Sequence, residues 1–118
     1  GVLPQQGISV SLVDTTDLNA VKNAITPQTK ALFLETPSNP LFTITDLRAM
    51  VEIAKENKLI TLLDNTFMTP LMQRPLDLGI DITIHSATKF LGGHSDILAG
   101  LVTTSDPELA KRLKYFQN

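Results

Sequence analysis

Apolar and polar positions along this chain follow two periods, and the switches between them mark the elements. Ile8-Ser9-Val10-Ser11-Leu12-Val13-Asp14 alternates apolar and polar, the period of a half-buried strand. Leu18, Val21 and Ile25 then share one helical face, with Thr16 or Asp17 as N-cap and Pro27 just past the end. Ala31-Leu32-Phe33-Leu34 reads as a short buried strand. A second helix is plainer, because Leu47, Met50, Val51 and Ala54 fall at i, i+3, i+4 and i+7 and form one apolar stripe. Thr45 is the expected cap there, with Asp46 near the start and Lys55 and Lys58 near the end to suit the helix dipole. Leu59-Ile60-Thr61-Leu62-Leu63-Asp64 follows as a strand apolar enough to be covered on both faces. Ile82-Thr83-Ile84-His85 and Leu98-Ala99-Gly100-Leu101-Val102-Thr103 are two more strands. The tail from Asp106 predicts a helix with Pro107 in its first turn, a capping box of Ser105 and Glu108, and Leu109, Leu113 and Phe116 turned inward.

Strands alternating with helices predict an α/β fold of three layers around a mainly parallel sheet. One connection departs from that rule. A parallel return needs a dozen or more residues, usually with a helix, and the segment between His85 and Leu98 contains Gly92-Gly93. The strand near 98–103 is therefore expected to run antiparallel to its neighbours.

Composition narrows the field. A chain of 118 residues with 42% hydrophobic and 19% charged residues is the size and make-up of one globular domain or part of one. A net charge of -2 gives no reason to expect nucleic acid or an anionic membrane as partner. No apolar run is long enough to span a bilayer, and the absence of Cys excludes disulfides, thiolate metal sites and cysteine nucleophiles and suits a cytoplasmic location. The chain opens Gly1-Val2-Leu3-Pro4 without Met, which is expected of a piece of a longer protein.

Three polar clusters follow the predicted strands: Glu35-Thr36-Pro37-Ser38-Asn39-Pro40, Asp64-Asn65-Thr66 and Ser86-Ala87-Thr88-Lys89. In an open parallel sheet ligands collect beyond the carboxyl ends of strands, so three such clusters suggest one shared site. Taken singly, each also fits a turn or a helix cap, though less well than a site. Pyridoxal phosphate has needs that this set can meet. Its aldehyde requires a lysine amine, here Lys89, with Ala87, Phe90 and Leu91 expected to bury it partly. Its ring nitrogen requires a carboxylate, here Asp64. At ~4 Å and an effective dielectric of about 20 that charge pair is worth roughly 4 kcal/mol, or about three pKa units. Its phosphate requires donors such as the hydroxyls of Ser86 and Thr88, and Asn39 can donate to a ring oxygen.

Asp64-Asn65-Thr66-Phe67-Met68-Thr69-Pro70, followed by His85-Ser86-Ala87-Thr88-Lys89-Phe90-Leu91-Gly92-Gly93-His94-Ser95-Asp96, resembles the signature of the trans-sulfuration (Cys/Met metabolism) family of pyridoxal-phosphate enzymes. The Glu35–Pro40 segment is similar to theirs as well, and within the family the likeness is to bacterial cystathionine-cleaving and cystathionine-forming members. The resemblance implies a partial fold type I structure, with residues 1–118 forming part of the large cofactor-binding domain. The family's N-terminal segment and C-terminal domain are absent from this stretch. It implies that Lys89 forms the Schiff base and shuttles protons, that Asp64 pairs with the pyridine nitrogen, and that Ser86 and Thr88 bind the phosphate. Asn39 would hydrogen-bond the ring 3′-oxygen, and Thr66 would lie near the cofactor. The implied activity is a carbon–sulfur lyase that splits cystathionine or a related sulfur amino acid into homocysteine, pyruvate and ammonia by β-elimination. γ-Elimination or γ-replacement is the alternative. A small amino-acid substrate, a cytoplasmic homotetramer, and little or no turnover by the 118 residues alone complete what the resemblance implies.

Two other readings are weaker. Ser86-x-x-Lys89 matches the serine–lysine motif of penicillin-recognising acyl transferases, but the companion Ser-Asp-Asn and Lys-Thr-Gly elements are missing. His85, His94 and Asp96 invite a metal, yet their spacing is no familiar zinc arrangement and there is no third histidine, so a structural His85 is expected.

Overall fold

A computed structural model describes residues 2–117, with the side chains described from Pro4 onward. In chain order the elements are α1 (Val2–Gln5), α2 (Leu18–Ala24), β1 (Ala31–Glu35), α3 (Leu47–Glu56), β2 (Ile60–Asp64), α4 (Thr69–Met72), α5 (Pro75–Leu78), β3 (Ile82–Ser86), β4 (Gly100–Thr103) and α6 (Pro107–Gln117). The four strands form one sheet in the order β1-β2-β3-β4. β1, β2 and β3 are parallel, with Leu34 beside Leu63 and Leu63 beside Thr83. β4 runs antiparallel to β3 and pairs Ile84 with Val102, as the short glycine-containing connection requires.

Side chains alternate across a sheet, so the register sorts them onto two faces. On one face Leu34 and Leu63 join Val21 of α2, Leu47, Met50, Val51 and Ile53 of α3, and Ile80 to form the core. The predicted stripe of α3 is the buried one: Leu47, Met50, Val51 and Ala54 all lie inside. Asp81 brackets the same layer at its lower end, its Oδ2 accepting from both the N–H and the hydroxyl of Thr61 at 2.8 Å. The other face is open. Phe33 is 64% exposed, Ile60 37% and Val102 52%, so the expectation that β2 is covered on both faces is not met among the described residues.

Local departures have simple causes. Ile8–Asp14 is not a strand; it pairs with nothing among the described residues, and Leu12 is 95% exposed, so alternation without a partner edge leaves the segment irregular. The cap of α3 is Asp46, not Thr45: its Oδ1 accepts from Arg48 and Ala49, while the buried Thr45 donates its N–H to Thr36 Oγ1. Asp17 caps α2 in the same way. On α6 it is Asp106 Oδ1, and not Ser105, that accepts from Glu108 and Leu109. Leu109 and Leu113 are half-buried, but Phe116 is exposed, contrary to its inward assignment.

Candidate functional site

The carboxyl ends of β1, β2 and β3 open side by side into a pocket of about 730 Å3. Every residue singled out from the sequence as a site candidate lines it: Asn39, Asp64, Thr66, Ser86, Thr88 and Lys89. They meet because the strands are parallel and in register, with Glu35 beside Asp64 and Asp64 beside Ile84. The polar clusters at three successive strand ends therefore share one rim.

Each side chain is held differently. Half-buried Asp64 leaves the sheet on the open face, and its Oδ1 accepts the Thr66 N–H at 2.9 Å. Thr66 Oγ1 in turn accepts the Ser86 N–H at 2.8 Å, which links the ends of β2 and β3. Thr88 Oγ1 accepts from the Ala99 N–H at 3.0 Å and donates to the Ala99 carbonyl at 3.2 Å, stitching the start of the Lys89 turn to the approach of β4. That hydroxyl can turn toward an anionic oxygen while keeping its bond from Ala99 N–H. Lys89 sits in a tight turn in which its N–H donates to Ser86 O at 3.1 Å and its carbonyl accepts from Gly93 at 2.9 Å. Gly92 closes this turn against Ala87, donating to its carbonyl at 2.7 Å. A Cβ at Gly92 would lie 2.7 Å from Ala87 O and from the Ile97 side chain, so only glycine fits.

The burial expected around Lys89 is absent among the described residues. Lys89 is exposed, as are Phe90 at 61% and Leu91 at 40%; only Ala87 is buried, because the turn faces the open side of the sheet. No ion pair joins Lys89 to a carboxylate among the described residues, which leaves its amine free to face the pocket.

Behind the pocket, on the core face, lies a polar network. Thr36, Asn65 and His85 follow or precede the pocket-facing Glu35, Asp64 and Ser86 by one residue and are buried on the opposite side. Asn65 Nδ2 donates to Gln73 O at 3.0 Å and to His85 Nε2 at 3.2 Å, and Gln73 Nε2 donates to Asn65 Oδ1 at 2.8 Å and to Thr36 O at 3.4 Å. Burial lowers the His85 pKa from its ordinary 6.5, and the nearby Asp64 charge opposes that shift. A neutral ring is what the acceptor role of Nε2 requires. His85 is thus a buried structural histidine, while His94 is exposed, its ring Nδ1 3.2 Å from Gly92 O.

Glu35, Phe67, Gly93 and Ser95 also line the pocket, with no role assigned to them from the sequence, and so does Phe90. Phe67 packs between Phe42 at 5.3 Å and Phe90 at 6.1 Å, building an aromatic wall from three separate segments. Glu35 was detectable in principle as the last strand residue before a polar turn.

Over 117 residues the chain is 58% identical to cystathionine beta-lyase MetC of Bacillus subtilis (strain 168), covering 99% of this chain and 30% of that protein. It is 52% identical to the cystathionine gamma-lyase of the same organism, covering 99% of this chain and 31% of that one. The crystal structure of cystathionine gamma-lyase from Lactobacillus plantarum complexed with L-serine superposes with a TM-score of 0.96 at 52% identity, over 98% of this chain and 30% of that one. The chain thus spans about 30% of the length of the relatives it matches. The family model described as Cys/Met metabolism PLP-dependent enzyme matches residues 1–118, from end to end, and the chain belongs to that pyridoxal-phosphate-dependent family.

Proposed function

We propose that this chain carries the cofactor-anchoring part of a carbon–sulfur lyase that acts on cystathionine or a related sulfur amino acid, releasing homocysteine, pyruvate and ammonia by β-elimination. The observation that carries the reading is the convergence of Lys89, Asp64, Ser86, Thr88 and Asn39 on one pocket at the ends of three adjacent strands. The donor set suits pyridoxal phosphate: an amine and a carboxylate oxygen without protein partners among the described residues, two hydroxyls, an amide and an aromatic wall. Lys89 Nζ would hold the group covalently and, once released by substrate, would accept the proton from the substrate α-carbon. Asp64 Oδ2 would keep a proton on the ring nitrogen, while Oδ1 stays committed to Thr66. Ser86 and Thr88 would donate to the phosphate, Asn39 to the ring oxygen, and Thr66 would hold the strand ends that carry them. When bound, pyridoxal phosphate supplies an electron sink for the negative charge that develops on the α-carbon.

The surroundings support a larger assembly. The share of its relatives that the chain spans supports a place within the large cofactor-binding domain of a longer polypeptide. Exposed Phe42, packed on the pocket-lining Phe67, and exposed Leu71 support a homo-oligomer, for which we propose a tetramer. No helix among the described residues is long and apolar enough to cross a membrane, and the lack of Cys supports the cytoplasm. The test is to supply the full-length enzyme with cystathionine and measure keto-acid products. Pyruvate with homocysteine is expected; 2-oxobutyrate would assign γ-elimination, and release of no keto acid at all would refute the lyase reading. The 118 residues alone are expected to show little or no turnover.

A further inference from the structure

Glu35 and Asp64 are register partners on neighbouring parallel strands, each the last residue of its strand. Their side chains therefore leave the sheet on the same face, and both line the pocket. They also make the same kind of bond. Asp64 Oδ1 accepts the N–H of Thr66 at 2.9 Å, and Glu35 Oε1 accepts the N–H of Asn39 at 3.2 Å. Each carboxylate thus reaches forward and fixes a residue of the loop that follows its own strand.

Apart from the packing of Phe42 on Phe67, residues 38–43 of the Asn39 loop bond to one another. Phe42 N–H donates to Ser38 O at 2.8 Å, Ser38 N–H to Thr43 O at 3.1 Å, and Thr43 N–H to Ser38 Oγ at 3.1 Å. None of these bonds involves Asn39. Among the described residues the bond to Glu35 is the one that ties Asn39 back to β1, and Asn39 is exposed, so no packing substitutes for it. A carboxylate accepting a backbone N–H is a charge-assisted bond, stronger than a neutral one.

We infer that Glu35 is a positioning residue of this site: it holds Asn39 over the pocket, so that the Asn39 side chain stands where it can meet a bound ring. This rests on the proposed reading of the pocket as the pyridoxal-phosphate site. The test uses the full-length protein with Glu35→Ala, Glu35→Gln, Asn39→Ala and the Glu35→Ala/Asn39→Ala double substitution. Amide hydrogen exchange of the cofactor-free protein is read first, and it does not depend on what the pocket binds. Exchange at Asn39 is expected to rise about tenfold or more in Glu35→Ala, and to keep most of its protection in Glu35→Gln, which retains an acceptor oxygen. Pyridoxal-phosphate affinity is read second. Glu35→Ala should weaken it by about tenfold alone, but add little once Asn39 is already Ala. Unchanged exchange at Asn39 in Glu35→Ala would overturn the inference, as would an equal affinity loss with and without the Asn39 side chain. If exchange responds as expected but no variant nor the parent binds pyridoxal phosphate, Glu35 still positions Asn39 and the reading of the pocket is what fails.

Discussion

Asn65 Nδ2 donates to His85 Nε2 across 3.2 Å, joining the ends of β2 and β3 directly behind the pocket. The bond fixes the protonation state of the ring, since Nε2 accepts only while it carries no proton. It also completes the Asn65 amide, whose other proton and whose oxygen are bound to Gln73. Buried polar groups that are fully paired set geometry; removing one partner leaves the others unsatisfied at about 1–3 kcal/mol each.

A pH dependence follows from the burial of that ring. The folded state lowers the His85 pKa below its ordinary 6.5, chiefly by burial. The unfolded chain therefore binds more protons between the folded value and 6.5, and stability rises with pH in that window. The contribution is complete above 6.5 and is lost as pH falls toward and through the folded value. His85→Gln, which offers an acceptor oxygen and does not titrate, should flatten this slope. Unfolding free energies of the two proteins from urea titrations should converge between about pH 7 and pH 5 by up to about 1.4 kcal/mol per pH unit.

Lys89→Ala should remove covalent cofactor attachment and with it the visible absorbance of the lysine-bound form. Turnover of the full-length enzyme is expected to fall by about 10²–10⁴-fold or more, the range lost with a positioned proton-transfer group. Because Lys89 is exposed and unpaired among the described residues, its melting temperature without cofactor should not change. A visible band that survives the substitution refutes the assignment.

Asp64→Asn separates charge from shape. The amide oxygen can still accept the Thr66 N–H, so the strand ends should hold. The negative charge toward the ring nitrogen is lost, and at roughly 4 kcal/mol for a close pair the rate should fall by roughly 10²–10³-fold. Circular dichroism and melting should match the parent; steady-state rates should not.

Gly92→Ala forces a methyl group to 2.7 Å from Ala87 O and from Ile97. Ile97 can yield, but the carbonyl cannot move without opening the Lys89 turn. A loss of about 1–3 kcal/mol is expected in denaturant melts, accompanied by reduced cofactor occupancy.

The chain made some of this architecture easy to read. The stripe of Leu47, Met50, Val51 and Ala54 lies buried because spacing alone determines which side of a helix faces the core. The antiparallel β4 was legible because Gly92-Gly93 leaves the link from β3 little room for a crossover helix. Other features were hidden for physical reasons. Alternation over Ile8–Asp14 looks like a strand whether or not an edge exists to pair with it. Thr45 and Asp46, like Ser105 and Asp106, are adjacent cap formers, and only backbone geometry selects the aspartate. The six polar site candidates were visible as clusters after strands, but Glu35, the last residue of β1, shows its role only through its bond to Asn39. The aromatic wall was invisible because Phe42, Phe67 and Phe90 are brought together only by folding.

The open face of the sheet governs how a polypeptide containing this stretch can be recovered from denaturant. Phe33, Ile60 and Val102 present apolar surface to water across a sheet whose edge strand β1 has unpaired backbone groups among the described residues. Until some other surface covers that face, two half-folded copies can meet there as readily as the proper covering segment can arrive. Self-association is second order in protein and covering within one chain is first order. Dilution, more than temperature, should therefore decide refolding yield.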